Sequence, residues 1–130
     1  MFKKSPLAPS RFPATAPVPG VRVSGIAAGL KESGRPDLFL AVLAKGSTIA
    51  GVFTKSKCSS APVDWCRSIL KHGKIRGLIV NSGNANAFTG HAGNKTVEHT
   101  VAAAAKRLGC RRNEIYVAST GVIGVPVAED

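Results

Sequence analysis

Two short stretches hold residue types that could carry chemistry. The first is "ASTGVIG", residues 118–124. A strand is expected to end at Ser119-Thr120, with Gly121 opening a turn. A threonine hydroxyl and a glycine N–H in adjacent residues, here Thr120 and Gly121, can point at one spot. That is the geometry of an oxyanion hole, in which donors face the charge of a tetrahedral intermediate. The same residues also read as an ordinary strand-to-loop turn with no chemistry. The second stretch is "NSGNANAFTG", residues 81–90, where only Phe88 is large. It follows an apolar run and precedes a helical pattern, a context in which backbone N–H groups can collect an anion. A phosphate loop fails, however. Lys95 and Thr96 would need glycines at 94 and 89, which are Asn94 and Thr89. "KGST" at 45–48 has lysine and glycine in the wrong order, and no G-x-G-x-x-G occurs in the loop. Asn81, Gly83, Asn84 and Asn86 therefore read as a structural loop near the site. Asparagine amides bond their own backbone, and glycine lets another backbone approach.

The elements that must position these stretches follow from periodicity. "GVRVSGIAAGL" (20–30) suggests a strand with a glycine bend at Gly25. "DLFLAVLA" (37–44) is a continuous apolar run, as for a strand covered on both faces. After the turn "KGS", "TIAGVFT" (48–54) reads as the returning strand of a hairpin. Residues 59–73 carry helix punctuation: Ser60 or Ala61 ahead of Pro62, Lys71 and His72 in the last turn, and Gly73 to stop. Val63, Cys66, Ile69 and Leu70 share one face, and Trp65 falls off it, to pack on a neighbouring element. "KIRGLIV" (74–80) is the next strand. A helix from about Lys95 to Leu108 follows, with Asn94 as N-cap and Val97, Val101, Ala104, Ala105 and Leu108 as its stripe. "EIYVAST" (114–120) closes the order. The class is α/β (α+β) with a mixed sheet.

Composition narrows the partners. The chain has 130 residues, 44% hydrophobic and 19% charged, which suits one folded domain. Residues 1–19 read as a Pro-rich basic lead segment. No apolar run spans a bilayer, and prolines 6, 9, 13, 17 and 19 argue against a targeting helix, so the expectation is a cytoplasmic protein without membrane contact. Three cysteines at unpaired spacing, Cys58, Cys66 and Cys110, read as reduced and mostly buried. His72, His91 and His99 are scattered, so no metal site is expected. The net charge of +11 raises nucleic-acid binding. The basic residues are dispersed and aromatics are 5%, so a solvated face or an acidic partner is the better reading.

"GVFTKSKCSSAPVDWC", "LIVNSGNANAFTG" and "VASTGVIGVP", in this order and at these distances, resemble the ornithine acetyltransferase family. These are the bifunctional glutamate N-acetyltransferases of arginine biosynthesis. The resemblance covers about residues 20–127. It implies transfer of an acetyl group from N-acetylornithine to glutamate, with acetyl-CoA as a co-substrate in some members and no other cofactor. It implies a precursor that cleaves itself before a threonine, which becomes the first residue of a β chain and the acetylated nucleophile, its own α-amine serving as base. It implies an oxyanion hole from the Thr120 hydroxyl and the Gly121 N–H, a fold of sheets sandwiched by helices, and a heterotetramer of two α and two β chains.

In that family the nucleophile threonine lies downstream of "STGVIG", and Val125 stands where a glutamate is common. Residues 20–130 therefore resemble the N-terminal part of an α chain. The expectations are a chain inactive on its own, poorly stable without a partner fragment, and unable to supply the nucleophile. Two other readings stay open: a related self-processing aminopeptidase, and a small basic nucleic-acid-binding module.

Overall fold

The computed structural model describes residues 5–127. The first four residues of the lead segment and the last three of the chain lie outside them. The elements run β1 (Val21–Ile26), β2 (Leu38–Leu43), α1 (Ala61–Ile69), β3 (Gly77–Asn84), α2 (Gly90–Leu108) and β4 (Ile115–Val122), with short 3-10 turns at Leu70–His72 and Arg112–Glu114. The α/β class expected from the sequence is observed.

The four strands form one sheet in the order β1-β2-β3-β4. β1 and β2 are antiparallel, as are β2 and β3; β3 and β4 are parallel. A parallel pair needs a long crossover, and α2 provides it. Register sets the faces. Leu40 opposes Ile79, and Ile79 opposes Val117, so these share one face. α2 lies over that face, with Thr100, Ala104 and Leu108 beside Leu38, Leu40 and Ile79. The core joins Cys66 and Ile69 of α1, Val97, Val101 and Ala105 of α2, and Ile115 and Val117 of β4. Val101 and Ile115 are fully enclosed.

Both helices follow their local signals. Ser60 is the N-cap of α1 and Pro62 stands in its first turn. Gly73 ends the following 3-10 turn at φ 61°, a left-handed conformation that favours glycine. α2 buries Val97, Val101 and Ala105 and ends at Gly109, where the N–H of Cys110 donates to the Ala105 carbonyl at 3.1 Å.

Several expectations are corrected. Residues 48–54 do not return beside β2. Both edges of β2 are taken, by β1 and β3, so no place remains for a hairpin partner. Thr48 instead bridges Lys74, and the Ile75 N–H donates to the Ser47 carbonyl at 3.1 Å. β2 is not covered on both faces: Phe39, on the side away from α2, is 38% exposed. Gly25 makes no bend but pairs with Phe39 inside β1. α2 begins at Gly90 with Thr89 as N-cap, and Asn94 is an exposed residue within it. Residues 81–84, expected in a loop, extend β3. Cys66 is buried and Cys110 half-buried, but Cys58 is exposed.

Candidate functional site

β4 is an edge strand, and its two halves treat the open edge differently. The Arg76 N–H donates to the Glu114 carbonyl and the Ala85 N–H to the Val122 carbonyl, both at 2.8 Å. Backbone groups alternate sides along a strand. Residues 114 to 122 of even number therefore face β3, and Ile115, Val117, Ser119 and Gly121 face outward. α1 seals the first two. The Trp65 indole Nε1–H donates to the Ile115 carbonyl at 2.9 Å. The Cys66 thiol donates to the Val117 carbonyl at 3.2 Å and accepts from the Val117 N–H at 3.4 Å. Burial pushes the Cys66 thiol up, which keeps it protonated and able to donate. Trp65, off the apolar stripe, thus packs on the neighbouring strand as its position suggested. Among the described residues no hydrogen bond from α1 reaches the outward backbone groups of Ser119 and Gly121.

Thr120 and Gly121 lie there, in the last turns of β4 and exposed to solvent. Among the described residues the Thr120 hydroxyl has no hydrogen-bond partner. Its side chain leaves the face opposite α2, because Thr120 pairs with Ser82 while Ser119 pairs with Asn81. Gly121 sits at φ +134° and opposes Gly83 at φ +122°, where the β3–β4 register shifts. A Cβ at Gly121 would lie 2.3 Å from the Gly83 carbonyl carbon and 2.6 Å from the Asn84 nitrogen. A Cβ at Gly83 would lie 2.7 Å from the Leu30 carbonyl oxygen. Three backbone segments are stacked without side chains between them, which only glycine permits.

The asparagines hold this stack and the start of α2. The Asn81 side-chain amide donates to the Asn84 carbonyl at 2.8 Å and its oxygen accepts from the Ser119 hydroxyl at 2.5 Å. The Asn84 amide donates to the Val125 carbonyl, and its oxygen accepts the Asn86 N–H. Asn86 is 3% exposed and left-handed at φ 47°. Its amide donates to the Gly93 carbonyl at 2.9 Å, and its oxygen accepts from the Thr89 hydroxyl at 2.7 Å. A Cβ on Gly93 would meet both side chains. These bonds draw the helix start back to Gly90, ahead of the sequence signal at Asn94.

Two features escaped the sequence reading. One is Asp37, which is 2% exposed. Its carboxylate accepts the Ala28 N–H at 2.6 Å and the Lys31 N–H at 2.9 Å. Its own N–H donates to the Ile26 carbonyl, and its carbonyl accepts the Ser82 N–H. The Ala28 bond, aided by those of Lys31 and Leu30, holds the carboxyl below its ordinary range against the opposing effect of burial. The only sequence signal was an acid leading an apolar run. The other feature is a cavity of about 410 Å³ between the starts of α1 and α2, lined by Cys58, Asp64, Asn86, Thr89 and His91 among others. Thr120 and Gly121 do not line it. Among the described residues no group of His, Cys, Asp and Glu could hold a metal ion, and no helix is long and apolar enough to cross a membrane.

Comparisons with known proteins converge. The model of the ArgJ family matches residues 22–130. The arginine biosynthesis bifunctional protein ArgJ of Bradyrhizobium diazoefficiens is 55% identical over 123 residues, and that of Brucella suis 54%; each alignment covers 95% of this chain and 30% of the relative. The chain thus spans under a third of these relatives' length. Two crystal structures are similar in fold. ArgJ of Bacillus halodurans has a TM-score of 0.79 at 34% identity, over 84% of this chain and 57% of that one. Ornithine acetyltransferase of Mycobacterium tuberculosis, solved with ornithine, has a TM-score of 0.76 at 41% identity, over 84% and 60%. By the family match and by these relatives, the chain belongs to the ArgJ family.

Proposed function

We propose that the chain is the N-terminal part of an acetyltransferase of arginine biosynthesis, and that Thr120 and Gly121 form its oxyanion hole. The observation that carries this is the paired exposure of a Thr120 hydroxyl without a partner among the described residues and a Gly121 N–H on the unpaired edge. Both stand on backbone packed directly against Gly83, with no side chain between. Donors fixed before reaction stabilise charge without reorganising, and one such donor lowers a barrier by roughly 3–4 kcal/mol.

The chemistry follows from that placement. A threonine hydroxyl oxygen, held on a β chain cleaved from the same precursor, bonds to the acetyl carbonyl carbon of N-acetylornithine. The carbonyl electron pair moves to its oxygen, where Thr120 and Gly121 receive it. Collapse of the intermediate breaks the carbon–nitrogen bond. Ornithine leaves with the proton taken from the hydroxyl; the glutamate amine then attacks the acetyl-threonine, the ester carbon–oxygen bond breaks, and N-acetylglutamate departs as the amine's proton returns to the threonine oxygen. Acetyl-CoA serves as an alternative donor to the same threonine. The family's assembly of two α and two β chains and a cytoplasmic location belong to the same proposal. Support for the substrate class comes from the M. tuberculosis relative, which was solved with ornithine. ArgJ membership favours this reading over the aminopeptidase and nucleic-acid readings.

The test is a graft. Residues 22–127 replace the matching segment of the B. diazoefficiens protein, and acetyl transfer from N-acetylornithine to glutamate is measured with and without Thr120→Val. The expectation is turnover in the graft and its near loss in the variant. Equal rates would remove Thr120 from the mechanism. The chain alone is expected to show no turnover.

A further inference from the structure

We infer that Asp37 is a positioning residue for Gly121, acting through the backbone of Leu30 and Gly83. The inference deepens the oxyanion reading, and rests on it for its kinetic consequence. The starting point is how many segments meet at one side chain. Asp37 precedes β2, is buried, and makes four hydrogen bonds to three different parts of the chain. Its carboxylate gathers the N–H groups of Ala28 and Lys31, which curls residues 28–31 around it. Its main chain ties the end of β1 at Ile26 to β3 at Ser82.

The curl has one consequence for the sheet. The Leu30 carbonyl is brought against Gly83, so close that a methyl group there would sit 2.7 Å from its oxygen. The Lys31 side chain lies against the same spot, its Cγ 3.2 Å from that position. On the sheet side, Gly83 carries Gly121 at similarly close range. Leu30 thus backs the Gly83 peptide, and the Gly83 peptide backs Gly121. Among the described residues no strand pairs with the far side of β4, and the α1 hydrogen bonds end at Val117, so at Gly121 the strand depends on its contact with β3.

The carboxylate matters, and not only its shape. Two N–H donors converge on its two oxygens. An amide of the same size keeps one acceptor and turns a donor toward the other N–H, which opens one end of the curl. Asp37→Asn is therefore the variant of choice. Gly83→Ala is the second, because it breaks the stack at its middle and leaves Asp37 untouched.

The experiment reads position and rate separately. The protein is labelled with 15N-glycine, as the full chain and within the graft, and the amide signals of Gly83, Gly121 and Gly109 are followed. Gly109, at the far end of α2, is the control. Asp37→Asn is expected to shift and broaden Gly83 and Gly121, and Gly83→Ala to shift and broaden Gly121, while Gly109 stays in place. In the graft, kcat is expected to fall roughly ten- to a hundred-fold at nearly unchanged KM, as displaced catalytic donors require. An unmoved Gly121 signal in Asp37→Asn would overturn the inference and leave the oxyanion reading standing. Moved signals with unchanged kcat would uphold the coupling and defeat the oxyanion reading instead. Should Asp37→Asn not fold, Asp37→Glu, which keeps the carboxylate but shifts it, is read by the same Gly83 and Gly121 signals, and unmoved signals there overturn the inference.

Discussion

The two halves of β4 are the same strand under opposite conditions. From Ile115 to Val117 its outward backbone groups are met by an indole and a thiol from α1, and its side chains are buried. From Ala118 onward burial falls away and the outward edge is bare. The first half is tied to a helix; the second is held from behind, by backbone stacked on backbone. The difference teaches that an exposed strand end can be held without apolar packing, provided glycines let the neighbouring chain come close enough. Hydroxyl and N–H groups on such an end remain available to a ligand, whereas those near α1 do not.

Four experiments would break or sharpen that contrast. The largest effect is expected from Thr120→Val in the graft. Removing the hydroxyl should raise the barrier by roughly 3–4 kcal/mol, while an exposed substitution away from packed groups should change stability by within about 0.5 kcal/mol. A parallel loss of both, seen by thermal melting, would make Thr120 structural. Next is Gly121→Ala, which forces a side chain into a φ of +134° and onto the Gly83 peptide. Backbone strain of that kind costs of order 1–3 kcal/mol, and denaturant unfolding should register it although the residue is exposed.

On the sealed half, Trp65→Phe keeps most of the ring but strands the Ile115 carbonyl. A loss of about 1 kcal/mol is expected, with no change in kcat. A kinetic effect would mean that the two halves are coupled. The smallest effect is acid dependence at Asp37. Its carboxyl is held low in the folded chain, chiefly by the Ala28 N–H. The folded state therefore binds this proton less readily than the unfolded one. The stabilisation is complete above the ordinary carboxylate range and is lost as pH falls through the lowered value. Asp37→Asn should flatten that part of the stability–pH curve, measured by denaturation between about pH 5 and pH 2.

What could be read from the sequence was whatever is encoded locally. Ser60, Pro62 and Gly73 bracket α1 by their own backbone preferences, and the Val97–Val101–Ala105 stripe needs only helical spacing. The failures share a cause. Residues 48–54 have strand-like composition, but both edges of β2 are filled, by β1 just before it and by β3 far along the chain. The start of α2 was hidden because Asn86 and Thr89 close around Gly93, a contact that no spacing rule contains. "STG" singled out Thr120 and Gly121, which the structure leaves exposed at the end of β4, while the Asp37, Leu30 and Gly83 contacts behind them were illegible. A carboxylate seven residues from a loop and forty-six from a glycine carries no periodic signature.

The facing glycines at 83 and 121 also limit how this piece of the protein can drift. Usually a bulky change on one side of a contact is accommodated by a smaller residue on the other. Here both sides are already at the minimum, so neither can yield to its neighbour. A saturation library at the two codons should return glycine at both, and pairwise recombination should open no other path.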